Sequence, residues 1–380
     1  MTITEKLNSI FMISHHKHKV IAPMEGLRAF AAFLVFLCHY AAQSQAWIPA
    51  DSITSALILN IRFVGASGVD LFFILSGYLI YGMLIKKSVS LNTYIYRRVN
   101  RIYPTFLVMM VVYIALSLLV PSENKIPSEL GAGGLFIVQS LLLLPGVFDL
   151  KPLITVAWTL SYEMFFYILI PFIILVFNLR EKSQKQRMFF LICWAVLGFS
   201  VGFFWSHHVE MLLFISGMIL FEIRLKGDKL SWRYAHLIFP ITFILMMIVR
   251  HSFDFYFDWL LAVIMFFGYG LACFSAFDDN SKMGVLFSKL PLRWLGNMSY
   301  SYYLIHGLTL KFLFMVLAFM FPPEGNAAWV FYICLVPFFI CTLFASVFLF
   351  YFIEKPFSLT NKVATKKEVH AKEVVAASRN

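Results

Sequence analysis

Apolar positions in this chain fall in long unbroken runs rather than in an alternating pattern. Runs long enough to span a bilayer lie near 27–47, 64–85, 102–120, 157–178, 188–205, 209–223, 234–250, 256–276, 297–321 and 328–353. None shows the period of two that a strand needs, so each run predicts a helix. The expected fold is all-α, a polytopic integral membrane helix bundle of about ten transmembrane helices. An eleventh apolar stretch, Leu130 to Leu144, is short and opens with Gly131, Gly133 and Gly134. Counting it as a crossing would send the basic loop 178–187 outside, against the rule that short cytoplasmic loops carry the excess of Lys and Arg. Left out, every basic segment falls on one side: 86–101, 178–187, 224–233, 277–293 and the tail. The stretch is therefore expected to be re-entrant or interfacial, and both termini cytoplasmic. The division that follows is a basic leader over 1–20, a transmembrane domain over 21–354 and a polar tail over 355–380.

Composition sharpens this picture. With 61% hydrophobic and 13% charged residues over 380 positions, the chain is not a soluble globule. The formal charge of +11 sits in short loops and tails between apolar runs, so it reports topology and calls for membrane lipids, not nucleic acid, as partner. The five cysteines are scattered through apolar segments without a C-x-x-C pair, which suggests neither zinc nor a disulfide framework. The run HHKHK at 15–19 reads as a solvated basic flank; metal binding is the sharper alternative, but no paired ligand spacing accompanies it, and no metal is expected. The first apolar run is too long for a cleaved signal peptide and contains Arg28.

Candidate chemistry concentrates in the few ionisable residues inside the apolar runs. In EGLRAFAAFLVFLCHY (25–40), Arg28 and His39 are eleven residues apart. That is close to three helical turns, so both share a face about 16 Å apart, and His39 lies near mid-membrane if Arg28 marks one edge. Groups so placed are expected to face a protein-lined cavity. Arg97, Arg98 and Arg101 precede the third span; on a helix 97 and 101 share a face with 98 adjacent to it, a fork suited to phosphate or simply to anchoring the span. In GVDLFFILSGYLI (68–80), Asp70 sits about one turn inside the second span, where it can snorkel or pair. AWTLSYEMFFY (157–167) buries Glu163 with Tyr167 at i+4, while Trp158 and Tyr162 suit an interfacial belt. Glu163 is a possible acid, base or orienting partner at the depth of His39. In NMSYSYYLIHG (297–307), Ser299, Tyr302 and His306 form one helical stripe, either interhelical hydrogen bonds or a cavity lining. His207, His208 and His251 are expected in outer loops, solvated. No G-x-S-x-G elbow, P-loop or H-E-x-x-H occurs, so serine-hydrolase, phosphate-driven and zincin chemistry find no support.

In this order the segments resemble the membrane acyltransferase family 3: Arg28 with ten residues before His39, GVDLFFILSGYLI, the Arg97/Arg98/Arg101 cluster ahead of Pro104, WTLSYE with Tyr167, SYSYYLIH, and Glu354 with Pro356. Glu25 stands where the family often has Asp, and Ala29 where it often has Gly. The resemblance implies a stand-alone bacterial inner-membrane enzyme that moves an acyl group, commonly acetyl, from cytoplasmic acyl-CoA to a hydroxyl of an envelope or secreted glycan or a lipid-linked sugar. It implies that His39 is the catalytic base with Glu163 orienting it. Arg28, Arg97, Arg98 and Arg101 would meet the donor's phosphates. Asp70, Trp158, Ser161, Tyr167, Ser299, Tyr302 and His306 would line the substrate path. From the residues alone, buried His39, Glu163 and Asp70 equally suit a proton-coupled transporter or flippase, and a glycan sensor without turnover is a third class.

Overall fold

The computed structural model describes residues 2–13, 21–86, 90–204, 208–227, 234–252 and 257–359. The histidine-rich run 15–19, His207 and the tail beyond 359 lie outside the described residues. So do 87–89 and 228–233 of two basic segments.

Fifteen α-helices follow one another: α1 (Ile3–Phe11), α2 (Ala22–Ser44), α3 (Ile53–Ala66), α4 (Gly68–Lys86), α5 (Leu91–Leu119), α6 (Leu130–Leu141), α7 (Trp158–Val176), α8 (Gln184–Phe204), α9 (Leu212–Leu225), α10 (Ile238–Ser252), α11 (Phe257–Ala276), α12 (Lys282–Phe287), α13 (Leu290–Asn297), α14 (Ser299–Met320) and α15 (Trp329–Leu349). Helix α15 runs on into π-helical turns, Phe350–Leu359. Among the described residues nine helical stretches are long and apolar enough to cross a membrane, and the chain is an integral membrane helix bundle. The sixth expected span, 209–223, is the shorter, fourteen-residue α9. Apart from Glu222 and Arg224 near its end it is largely apolar, and most of its residues are buried in the middle of the bundle. Helix α6 has twelve residues. At 1.5 Å per residue it is about 18 Å long, short of a hydrocarbon core of about 30 Å, as a non-crossing segment must be.

Two features were not foreseen. Helix α3 occupies a stretch outside the expected spans and leads through Ser67 into α4. The leader is not wholly solvated: α1 is capped by Thr2 and Glu5, and Phe11 is buried against Phe350 and Trp294.

The hub of the bundle is α2, which packs against α3, α4, α13 and α14. Helices α4 and α9 run parallel and cross nearly backbone to backbone. A Cβ on Gly217 would lie 2.0 Å from the Ile74 carbonyl oxygen, and one on Gly77 2.1 Å from that of Phe214. The obstacle is backbone, which cannot swing aside. Gly217→Ala is therefore expected to cost at least the 1–3 kcal/mol typical of overpacking; a lowered melting temperature of the detergent-solubilised protein checks it.

The basic segments meet at one end of the bundle. Arg180 Nε donates to the Leu84 carbonyl (2.9 Å), Arg224 Nη2 to that of Phe277 (3.0 Å), and Arg187 Nε lies 2.6 Å from the buried Glu222 carboxylate. Arg293 pairs with Glu25 at 2.6 Å, and Lys355 Nζ reaches the Ser9 and Ile10 carbonyls, both at 2.7 Å. These groups tie the end of α4 to the loop before α8, the end of α9 to the start of α8 and the end of α11, α13 to the start of α2, and the π-helical segment to α1, so the cationic loops share one face of the membrane domain.

Candidate active site

At the same end a cavity of about 150 Å³ opens between α2, α4, α5, α7 and α14. It collects Arg28 from α2, Arg98 and Arg101 from α5, Glu163 and Tyr167 from α7, and Ser299 from α14. Helix α5 begins at Leu91, so the arginine cluster is carried inside a single helix with Pro104. The pair that turns inward is 98 and 101, at i and i+3. Arg97 is exposed on the far side of the turn and does not line the cavity, which corrects the expected 97/101 face.

The charges are arranged unequally. Arg101 Nη1 lies 2.5 Å from Glu354 Oε1, and its guanidinium covers the Tyr300 ring at 5.5 Å. Glu354 is fully buried, and its second oxygen accepts from the Ser301 amide (3.0 Å) and hydroxyl (2.5 Å). Arg98 has only π faces, the rings of Tyr94 at 5.8 Å and Tyr167 at 5.6 Å, and its Nε is buried with no hydrogen-bond partner. Arg28 lies within electrostatic range of Glu163, Glu354 and Arg101. Glu163 Oε1 accepts from the Ser76 hydroxyl at 3.0 Å and from the Tyr167 hydroxyl. Three guanidiniums thus face two carboxylates, and the Ser299 hydroxyl in the same wall is buried without a partner. An excess of positive charge with unused donors suits an anionic ligand.

His39 stands apart from this cavity. It lies on α2 with Arg28, partly buried, and its ring is 5.1 Å from that of His306, tilted by 58°. Its neighbour is therefore His306 and not the expected Glu163, which is committed to Ser76 and Tyr167. Similar depth on two helices does not bring side chains together unless the helices also turn the right faces to each other. His306 is fully buried; its Nδ1 is 3.0 Å from the Tyr302 carbonyl and 2.9 Å from that of Tyr303, while its Nε2 has no partner. Tyr303 borders both regions. It lines the cavity, its ring is 6.1 Å from His306, and its hydroxyl donates to the Val156 carbonyl (2.8 Å) and lies 2.6 Å from Thr159 Oγ1.

The remaining candidates divide differently. Tyr302 makes an interhelical hydrogen bond to Thr342 at 2.9 Å and stacks on His306 at 5.5 Å. Ser161 donates to the Pro145 carbonyl and so fastens the loop before α7. Trp158 is 36% exposed, with its ring edge-on to Tyr162, and Asp70 is buried on α4 away from the cavity, within electrostatic range of Glu210. His208, expected to be solvated, has its Nδ1 2.6 Å from the Tyr162 hydroxyl. Sequence reasoning did not single out Thr159, Tyr300 or Tyr303. A signal existed for the last two, since Tyr303 follows Ser299 at i+4 and Tyr300 lies beside it in the same run.

A family model described as an acyltransferase domain matches residues 21–351. The chain is similar to "Putative O-acetyltransferase SACOL0978" of Staphylococcus aureus (strain COL), 24% identical over 90% of this chain and 58% of that protein. It is similar to "Acyltransferase MdmB" of Streptomyces mycarofaciens, 32% identical over 47% of this chain and 44% of that one. A third relative is "Putative peptidoglycan O-acetyltransferase YrhL" of Bacillus subtilis (strain 168), 26% identical over 77% of this chain and 49% of that protein. The chain thus spans about half the length of the curated relatives it matches. No solved structure matches it.

Proposed function

Since the chain belongs to the acyltransferase family whose domain model covers residues 21–351, we propose that it is a membrane-embedded O-acyltransferase that moves an acyl group, acetyl in the first instance, from acyl-CoA to a glycan hydroxyl. The observation that carries the donor assignment is the cavity itself, where Arg28 and Arg98 have charge to spare beside a ligated Arg101. Phosphates are the matching chemistry for guanidiniums that keep free donors. At about 150 Å³, room for about five waters, the space admits a narrow chain rather than a nucleotide. The donor's slender thiol arm is the part that enters, with its phosphates at the cationic end.

Helix α2 provides the path. Arg28 stands at the cavity and His39 about 16 Å further along the same helix. A sugar hydroxyl is a poor nucleophile at neutral pH. His39 takes its proton as the oxygen attacks the thioester carbonyl carbon, the C–S bond breaks, and the leaving CoA thiolate takes the proton back from the imidazolium, which restores the base. Acceptance of the alcohol from the side opposite the cationic loops makes the acceptor an envelope or secreted glycan or its lipid-linked precursor; the peptidoglycan named for the Bacillus relative is one such polymer.

The test is CoA release from acetyl-CoA by the protein in proteoliposomes, with and without polysaccharide acceptors, and detection of the new ester by mass spectrometry. Acceptor-dependent thiol release supports the reading. Proton flux without acyl-CoA, and no thiol release with any acceptor, rejects it in favour of transport. Arg98→Ala is the cleaner probe of the donor site, because Arg101→Ala would also strand the buried Glu354. Loss of a charge-assisted contact of about 1.5–3 kcal/mol is expected to raise the KM for acetyl-CoA at least tenfold with little change in kcat. An unchanged KM removes Arg98 from the donor site.

A further inference from the structure

We propose that His306 is a positioning residue for His39: its Nε2 accepts an N–H from the His39 ring and so fixes the tautomer in which the other nitrogen of His39 is the base. This rests on His39 being the base.

The tautomer of His306 is set by its own helix. Its Nδ1 faces two acceptors, the Tyr302 and Tyr303 carbonyls at 3.0 and 2.9 Å, so Nδ1 carries the proton and Nε2 is left as a lone pair. That lone pair is buried and unpartnered in a side chain with no exposure to solvent. An acceptor sealed in an apolar bundle without a donor is destabilising, and His39 is the group placed to relieve it. The ring centroids are 5.1 Å apart; turned edge-on, two imidazoles at that separation bring their nitrogens to about 3 Å, the ordinary hydrogen-bond range. Contacts of this kind often tighten only when the substrates are bound.

His306 is the fixed member. Tyr302 stacks on it with an interplanar angle of 5° and is itself tied to Thr342 on α15. His39 is only partly buried, and turning its ring edge-on to His306 completes the pair. A neutral imidazole has a single N–H. Once that N–H is donated to His306, the lone pair on the opposite nitrogen is available to the sugar hydroxyl. When it takes the proton, His39 becomes an imidazolium, and the hydrogen bond to Nε2 becomes charge-assisted and stronger. Stabilisation thus grows along the reaction, and the proton stays on His39 until the thiolate takes it, without passing to His306. A neutral acceptor does this without a second buried ion, which hydrocarbon makes expensive.

The experiment compares His306→Leu and His306→Gln in proteoliposomes with acetyl-CoA and a competent polysaccharide, with His39→Ala alongside. His306→Leu is expected to lower kcat by about 100-fold, the scale of a general base deprived of its orientation, and to leave the KM for acetyl-CoA within about threefold. His306→Gln, whose side-chain carbonyl can accept in place of Nε2, is expected to recover a substantial part of the loss. A His306→Leu enzyme with wild-type kcat, or a Gln variant as inactive as a folded Leu variant, overturns the inference. Should the Leu variant not fold, nitrogen-15 spectra of histidine-labelled wild-type protein decide. One His39 tautomer coupled to His306 supports the proposal, and a lone pair of His39 facing His306 overturns it. An inactive His39→Ala beside a fully active His306→Leu rejects the positioning role alone, whereas an active His39→Ala rejects the base assignment on which it rests.

Discussion

His39→Ala is expected to abolish acyl transfer, with kcat reduced by about two to four orders of magnitude, the usual worth of a general base, while the protein still inserts and folds. The position allows such a clean separation. His39 is only partly buried, so truncation seals no new cavity. It lies on α2 beyond the residues that line the donor cavity, so acetyl-CoA binding should survive with a KM near the wild-type value. Loss of kcat at constant KM is the signature of an interaction made in the chemical step and not in donor capture. The measurement is steady-state CoA release in proteoliposomes, with thermal unfolding of both proteins as control. A variant that turns over normally removes His39 from the chemistry, and one that is merely unfolded does not pass the control.

The two ends of this argument were not equally legible in the sequence. The helices were, because runs of apolar residues without alternation have one solution in lipid. That Arg28 and His39 lie on one helix, and Glu163 with Tyr167 on another, followed from spacing alone. Which groups meet across helices did not follow, since spacing along a helix says nothing about its rotation against its neighbours. Glu163 and His306 were both candidates at depth, and only the packing of α14 against α2 brings the His306 ring beside that of His39. The same ignorance of rotation left open which of Arg97, Arg98 and Arg101 turn inward; Arg98 and Arg101 line the cavity and Arg97 does not. Helix α9 was legible as an apolar run, but that most of it is buried in the middle of the bundle was not, because a buried helix and a lipid-facing one are both apolar. Glu354 was visible only as part of a weak run, because the π-helical turns that carry it inward leave no mark in the hydrophobic pattern.

Glu354→Ala is expected to have the largest effect on stability. The carboxylate joins three elements: one oxygen holds Arg101 of α5, and the other accepts from the amide and hydroxyl of Ser301 in the first turn of α14. Amides of a first turn have no partner within their own helix, and a carboxylate there also meets the positive end of the helix dipole. Truncation leaves Arg101 uncompensated in a largely buried site, Ser301 without an acceptor and a hole where the π-helical segment crosses. Removing one partner of a buried ion pair typically costs about 3–5 kcal/mol, so Glu354→Ala should melt well below the wild type in detergent or fail to accumulate. Glu354→Gln separates the two roles. Its amide oxygen still accepts from Ser301, but the charge that holds Arg101 is gone. This variant should fold, with Arg101 free to turn toward Glu163 in the cavity. The expected result is a smaller loss of stability and a changed KM for acetyl-CoA, and the double variant Glu354→Gln/Arg101→Gln should lose less than the two single losses combined, because the groups it removes answer to each other. Strict additivity would mean that the pair is not coupled and that Arg101 meets the donor unaided.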